Sequence, residues 1–204
     1  MATTSEPLPQ TASQTAGPFV HIGLLPAAAG LPRRGAEAAP PDLIVGEGLR
    51  IRVGGRMFDG AGEVVRDAVL ELWQADATGR YVQPGEPRRA DGFQGFARTA
   101  TGFDDGCWWF DTLKPGPVQL PGGEHMAPHL TLWIMARGLN VGLHTRVYFG
   151  DETTANAADP VLQRIDPPAR RETLITRVDT SATQVMHHFD IRLQGTAETV
   201  FFDV

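Results

Sequence analysis

The chain has 204 residues, enough for one domain with a sizeable buried core. Its formal net charge is −6, from 18 Lys and Arg against 24 Asp and Glu, which excludes a general binder of nucleic acid or anionic membrane because either needs a basic face. One cysteine, Cys107, excludes an intrachain disulfide and suits a reducing compartment, so a cytoplasmic location is expected.

The 23 glycines and 16 prolines predict frequent turns and little helix. Residues 1–18, rich in Thr, Ser, Pro and Gln, read as an extended arm without the basic and apolar regions of a secretory signal. Residues 26–48 lack periodicity and read as a surface excursion. From Leu49 the pattern changes: Leu49, Ile51 and Val53 alternate with Arg50 and Arg52, as in a half-buried strand. Asp59-Gly60-Ala61-Gly62 predicts a turn, and Val64–Gln74 a second strand with Leu70 and Leu72 on one face. Further strands are expected at Phe96–Thr101, Cys107–Phe110, Leu130–Ala136, Leu143–Phe149, Thr173–Val178, His187–Leu193 and Thr199–Phe202. Asp159-Pro160 has the N-cap and N1 pattern of a helix start. The longest apolar runs fall far short of the roughly 20 residues of a bilayer span. The fold expected is an all-β sandwich of mixed and antiparallel strands with an extended N-terminal arm. Residues 1–48 form the arm and excursion, and residues 49–204 the sandwich.

His125 and His129 are four apart, but Pro128 between them excludes a helical metal clamp. A metal site on a strand needs ligands at i and i+2, and the partner of His129 at that spacing is Thr131, a poor ligand. His187 and His188 are adjacent and point to opposite faces, which predicts one buried and one exposed histidine. Cys107, before Trp108-Trp109-Phe110, reads as a buried small hydrophobe. Asp104 and Asp105 read as turn formers, and Arg88-Arg89 and Arg170-Arg171 as solvated doublets. Composition and spacing alone therefore give a β-sandwich without a complete active site.

Several stretches in collinear order resemble the intradiol catechol dioxygenases. They are SQTAGPFVHIGL (13–24), VRDAVLELWQADATGRY (65–81), FARTAT (96–101), TLKPGP (112–117), MAPHLTLWIMARGLNVGLHTRVYF (126–149), PVLQRI (160–165), RRETLI (170–175) and FDIRLQGTAETVFFDV (189–204). The resemblance implies the α-type chain of a two-chain enzyme whose β chain holds Fe(III) through two tyrosines and two histidines. It implies cleavage of 3,4-dihydroxybenzoate by O₂ to 3-carboxy-cis,cis-muconate. Of the four ligand positions, Tyr81 and His129 are retained, whereas Val118 and Thr131 replace a tyrosine and a histidine. Met126 stands where a pocket arginine is usual. These five positions imply a vestigial site that binds no iron, since neither Val118 nor Thr131 replaces a phenolate or an imidazole toward a hard ferric ion. The resemblance further implies that Thr15, Gly17, Pro18 and Arg137 wall the iron pocket of the β chain, with the Arg137 fork suited to the substrate carboxylate. The expected partners are that β chain, the aromatic substrate and O₂. Two other readings are open: a self-sufficient iron dioxygenase using His125, His144 or His187, and a non-enzymatic β-sandwich scaffold.

Overall fold

Apolar side chains at Ile51, Val53 and Met57 bury one side of the first long strand, β1 (Arg50–Phe58), while Arg50 and Arg56 stay exposed. A computed structural model gives the fold over residues 11–31, 40–87, 89–181 and 183–203. The first ten residues of the expected arm, residues 32–39 of the excursion, and Arg88 lie outside this description. The remaining strands are β2 (Val69–Trp73), β3 (Phe96–Ala100), β4 (Cys107–Leu113), β5 (Val118–Gln119) and β6 (His125–Met126). They continue with β7 (His129–Met135), β8 (Leu143–Tyr148), β9 (Arg177–Asp179), β10 (Val185–His188) and β11 (Ile191–Arg192). Two short α-helices, α1 (Val20–Leu24) and α2 (Thr153–Ala158), interrupt them.

One sheet places β1 between antiparallel β4 on one edge and parallel β10 and β11 on the other, with β9 beyond β10. The other sheet is antiparallel in the order β3-β2-β7-β8. The core lies between them, built from Ile51, Val53, Leu70, Leu72, Trp108, Phe110, Leu130, Leu132 and Phe149 among others. Ile44 joins this core, and its N–H donates to the Asp111 carbonyl, so the sandwich draws in residues ahead of Leu49. A β-carbon at Gly54 would lie 2.0 Å from the Trp108 carbonyl oxygen, so only glycine permits β1 and β4 to pair there.

Four predicted elements differ from the fold. The strand expected at Thr173–Val178 is a 3₁₀ helix over Pro168–Leu174, followed by β9. Pro167 and Pro168 bring fixed φ and no donor, and the Thr173 hydroxyl donates back to the Arg170 carbonyl, closing a helical turn. The strand expected at His187–Leu193 breaks at Asp190, whose carboxylate accepts the Arg56 N–H at 3.0 Å in place of a ladder carbonyl. Thr199–Phe202 contributes one bridge, Phe202 to His144, and no strand. The predicted helix start at Asp159 yields only a 3₁₀ turn, Leu162–Arg164, whereas α2 carried no sequence signal.

His187 is fully buried and His188 partly exposed, as alternation requires. Cys107 is half-buried beside Arg56 rather than buried, because it opens β4 at the end of the sheet. Arg89 is not a solvated charge: it donates to Asp76 at 2.6 Å.

Candidate functional site

Asp76 organises the first part of the site. Its Oδ1 accepts the N–H groups of Thr78 and Arg80 and the Thr78 hydroxyl, and its Oδ2 accepts from Arg89. Burial alone would raise this carboxyl pKa, but the hydrogen bonds from Arg80, Thr78 and Arg89 outweigh it and hold it at about 2. The tight turn that results carries Gly79 at φ +84°, where a β-carbon would lie 2.0 Å from the Pro117 carbonyl oxygen. Glycine there lets the 76–79 turn lie directly on the Lys114–Pro117 segment, and the Gly116 N–H donates to the Asp76 carbonyl at 2.9 Å. Two segments distant in sequence are thereby joined, one leading to Tyr81 and the other to Val118.

The second part is set by strand register. His129 is opposite Tyr148 and Thr131 opposite Arg146 in the β7–β8 ladder, so these four side chains share one face. Met126, on β6, pairs with Val118 on β5. The five expected vestigial positions, Tyr81, Val118, Met126, His129 and Thr131, thus meet around this face.

Within the cluster Tyr81 and His129 satisfy each other. His129 is 1% exposed, and its Nδ1 lies 2.8 Å from the Ala127 carbonyl. A carbonyl only accepts, so Nδ1 carries the proton and Nε2 presents its lone pair to the Tyr81 hydroxyl, 3.3 Å away. Burial, reinforced by the nearby Arg146 charge, lowers the His129 pKa to about 4. Burial also raises the Tyr81 phenol above its ordinary value, so it is a neutral donor.

Sequence reading missed Arg146, Tyr148 and Asp159. The Arg146 guanidinium donates to the Tyr148 hydroxyl and the Met126 sulfur, both at 3.3 Å. The Tyr148 hydroxyl donates to the buried Asp159 carboxylate at 3.2 Å, and burial pushes that phenol well above its usual pKa. Alternation within Leu143–Phe149 puts Arg146 and Tyr148 on one face, but their approach to His129 depends on the β7–β8 register, which no local signal reveals.

These residues do not fit iron. Val118 and Thr131, at two of the four expected ligand positions, offer neither phenolate nor imidazole, the His129 lone pair already accepts a hydrogen bond, and a permanent cation stands in the cluster. Among the described residues, no three His, Cys, Asp or Glu side chains converge on a point. His125 is exposed on β6, His144 packs near Trp133 and Phe202, and His187 lies in the other sheet against Phe149.

A separate cluster forms where the arm meets the end of β7. The Thr15 hydroxyl accepts the Gly138 N–H at 2.9 Å, and the Ser13 hydroxyl bonds the Asn140 carbonyl. Arg137, between β7 and this turn, has a side chain 67% exposed, with Nε 3.4 Å from the Asp67 carboxylate. Gly17 adopts φ +73°, and Pro18 follows it, largely exposed.

The His129 chemistry has a measurable consequence. The folded histidine resists protonation until about pH 4, whereas the unfolded one takes a proton near 6.5. Its share of stability is therefore full above pH 6.5 and lost as pH falls toward 4, a loss of about 3 kcal/mol. His129→Gln is expected to remove that part of the acid sensitivity, read as the difference between denaturant midpoints at pH 7.5 and 4.5. An unaltered difference would show that His129 does not carry it.

The family described as dioxygenase matches residues 37–195, and the chain belongs to it, the iron-dependent, intradiol ring-cleaving dioxygenases. The chain is 50% identical over 202 residues to the protocatechuate 3,4-dioxygenase alpha chain of Pseudomonas putida, covering 97% of this chain and 98% of that one. It is 36% identical over 160 residues to the beta chain of the enzyme of the same name in Burkholderia cepacia, covering 72% of this chain and 66% of that one. The solved 3-chlorocatechol 1,2-dioxygenase of Rhodococcus opacus 1CP shares the fold, with a TM-score of 0.60, 20% identity, and coverage of 85% of this chain and 77% of that one. Among the described residues, no helix is long and apolar enough to cross a membrane.

Proposed function

We propose that this chain is the α-type subunit of a protocatechuate-cleaving dioxygenase, working in the cytoplasm with a β-type chain that holds the iron. The pair converts 3,4-dihydroxybenzoate and O₂ to 3-carboxy-cis,cis-muconate. Both oxygen atoms enter the product, so the reaction needs no external reductant. The N-terminal arm packs on the partner, and the sandwich, which takes in Ile44 ahead of Leu49, supports it.

This chain binds and orients; it carries no catalytic residue and no metal. Thr15, Gly17 and Pro18 form one wall of the partner's pocket, with Gly17 permitting close backbone approach and Pro18 presetting the chain direction. Arg137 receives the substrate carboxylate on its fork. The observation that carries this reading is the Thr15–Gly138 hydrogen bond, which ties the arm to the turn beside an exposed arginine. A separate α-type relative, half-identical along nearly its whole length, supports the two-chain assembly.

Arg137→Ala in the co-purified complex is expected to raise KM for 3,4-dihydroxybenzoate about 10- to 100-fold, since a hydrogen bond to a charged group contributes about 1.5–3 kcal/mol. Steady-state oxygen uptake measures this, with kcat little changed. An unchanged KM rejects Arg137 as the carboxylate site.

A further inference from the structure

We propose that Asp67 is a positioning residue that sets the aim of Arg137, and so tunes selection for a carboxylated ring. This rests on the reading that Arg137 meets the substrate carboxylate.

Asp67 precedes β2 and is 7% exposed, an unusual place for a carboxylate. A buried carboxylate is costly unless paired, and Arg137 is the cation within ion-pair distance of it among the described residues. The contact is made through Nε, at 3.4 Å. A guanidinium has two usable edges, and a carboxylate near Nε leaves the edge formed by the two terminal nitrogens available for a second carboxylate. Neither terminal nitrogen of Arg137 has a hydrogen-bond partner among the described residues.

Charge also assigns the two sides of Arg137. A cavity of about 430 Å³ on the Asp67 side is lined by Asp59, Glu63 and Asp67 together with Arg66 and Arg137. Carboxylates outnumber guanidiniums around that cavity, which makes it a poorer host for a substrate carboxylate. The arm side presents the hydroxyl of Thr15 and the backbone of Gly138. Asp67 therefore holds an otherwise exposed, flexible side chain in one orientation before substrate arrives, which lowers the ordering cost of binding.

The test uses the complex of this chain with its β chain. Asp67→Asn keeps the shape and removes the charge. It is expected to raise KM for 3,4-dihydroxybenzoate about fivefold, the loss of one positioning contact, with kcat unchanged. The constant for catechol, which lacks the carboxylate, is expected to stay the same. Asp67→Asn combined with Arg137→Ala is expected to match Arg137→Ala alone, because both act on one contact. Should Asp67→Asn not assemble, Asp67→Glu keeps the charge but moves it by one methylene, with the same direction of change expected. An unchanged KM in Asp67→Asn beside a raised KM in Arg137→Ala overturns the role of Asp67 and leaves that of Arg137 standing. An unchanged KM in Arg137→Ala removes the underlying reading instead. Parallel losses with both substrates, or failure of both Asp67 variants to assemble, overturn positioning in favour of a purely structural role.

Discussion

Ferric iron offered to this chain alone is expected to leave no stoichiometric metal centre, and oxygen uptake with 3,4-dihydroxybenzoate should begin only when the β chain is added. The reason lies in the donors around His129. A hard ferric ion is suited by anionic phenolates, yet Val118 offers none and burial keeps Tyr81 protonated. Thr131 offers no imidazole, and the His129 imidazole presents its free nitrogen to the Tyr81 hydroxyl. Metal entry would have to break that bond, ionise a buried phenol and tolerate the Arg146 charge close by. Iron analysis and visible spectra of the purified chain, before and after ferric loading, provide the measurement. One iron per chain with a tyrosinate charge-transfer band would overturn this expectation.

Asp159→Ala should be among the most damaging single changes. Asp159 is completely buried and accepts the N–H groups of Ala127, Val161 and Leu162 at 2.8–2.9 Å and the Tyr148 hydroxyl at 3.2 Å. Alanine would leave four donors without their acceptor, three of them buried, and each buried one costs about 1–3 kcal/mol when unsatisfied. A loss of about 4 kcal/mol or more follows, at the high end for one substitution. For a domain of this size that lowers the melting temperature by about 10 °C. Asp159→Asn keeps one acceptor oxygen and should lose about half as much. Calorimetry of both variants checks the ranking, and a change of under 1 kcal/mol in Asp159→Ala would show that water or relaxation satisfies the donors. The Ala127 N–H is two residues from His129, so the same variant should also weaken the Tyr81–His129 contact.

Much of the fold was legible where periodicity was strong. Leu70 and Leu72 on β2, and the alternation along β7 and β8, mark their buried faces directly. Prediction failed where side chains replaced the ladder. The Asp190 carboxylate breaks a strand that hydropathy draws as continuous, and Pro167-Pro168 turns apparent strand residues into a 3₁₀ helix. The Arg89–Asp76 pair shows the same limit for charge, since an arginine doublet carries no local mark of a buried partner thirteen residues away.

By itself the sequence determined that Val118 and Thr131 offer neither a phenolate nor an imidazole at the two positions where the family resemblance implies ligands. It also determined the alternation that makes a sandwich. Only the tertiary structure decided what surrounds those positions. Arg146 comes opposite Thr131, and Tyr148 opposite His129, through the register of two strands, and register is set by which faces are buried across the whole sheet. Likewise only folding brings Thr15 against Gly138 and Asp67 against Arg137, because contacts between residues 70 and more positions apart follow from packing rather than from local pattern.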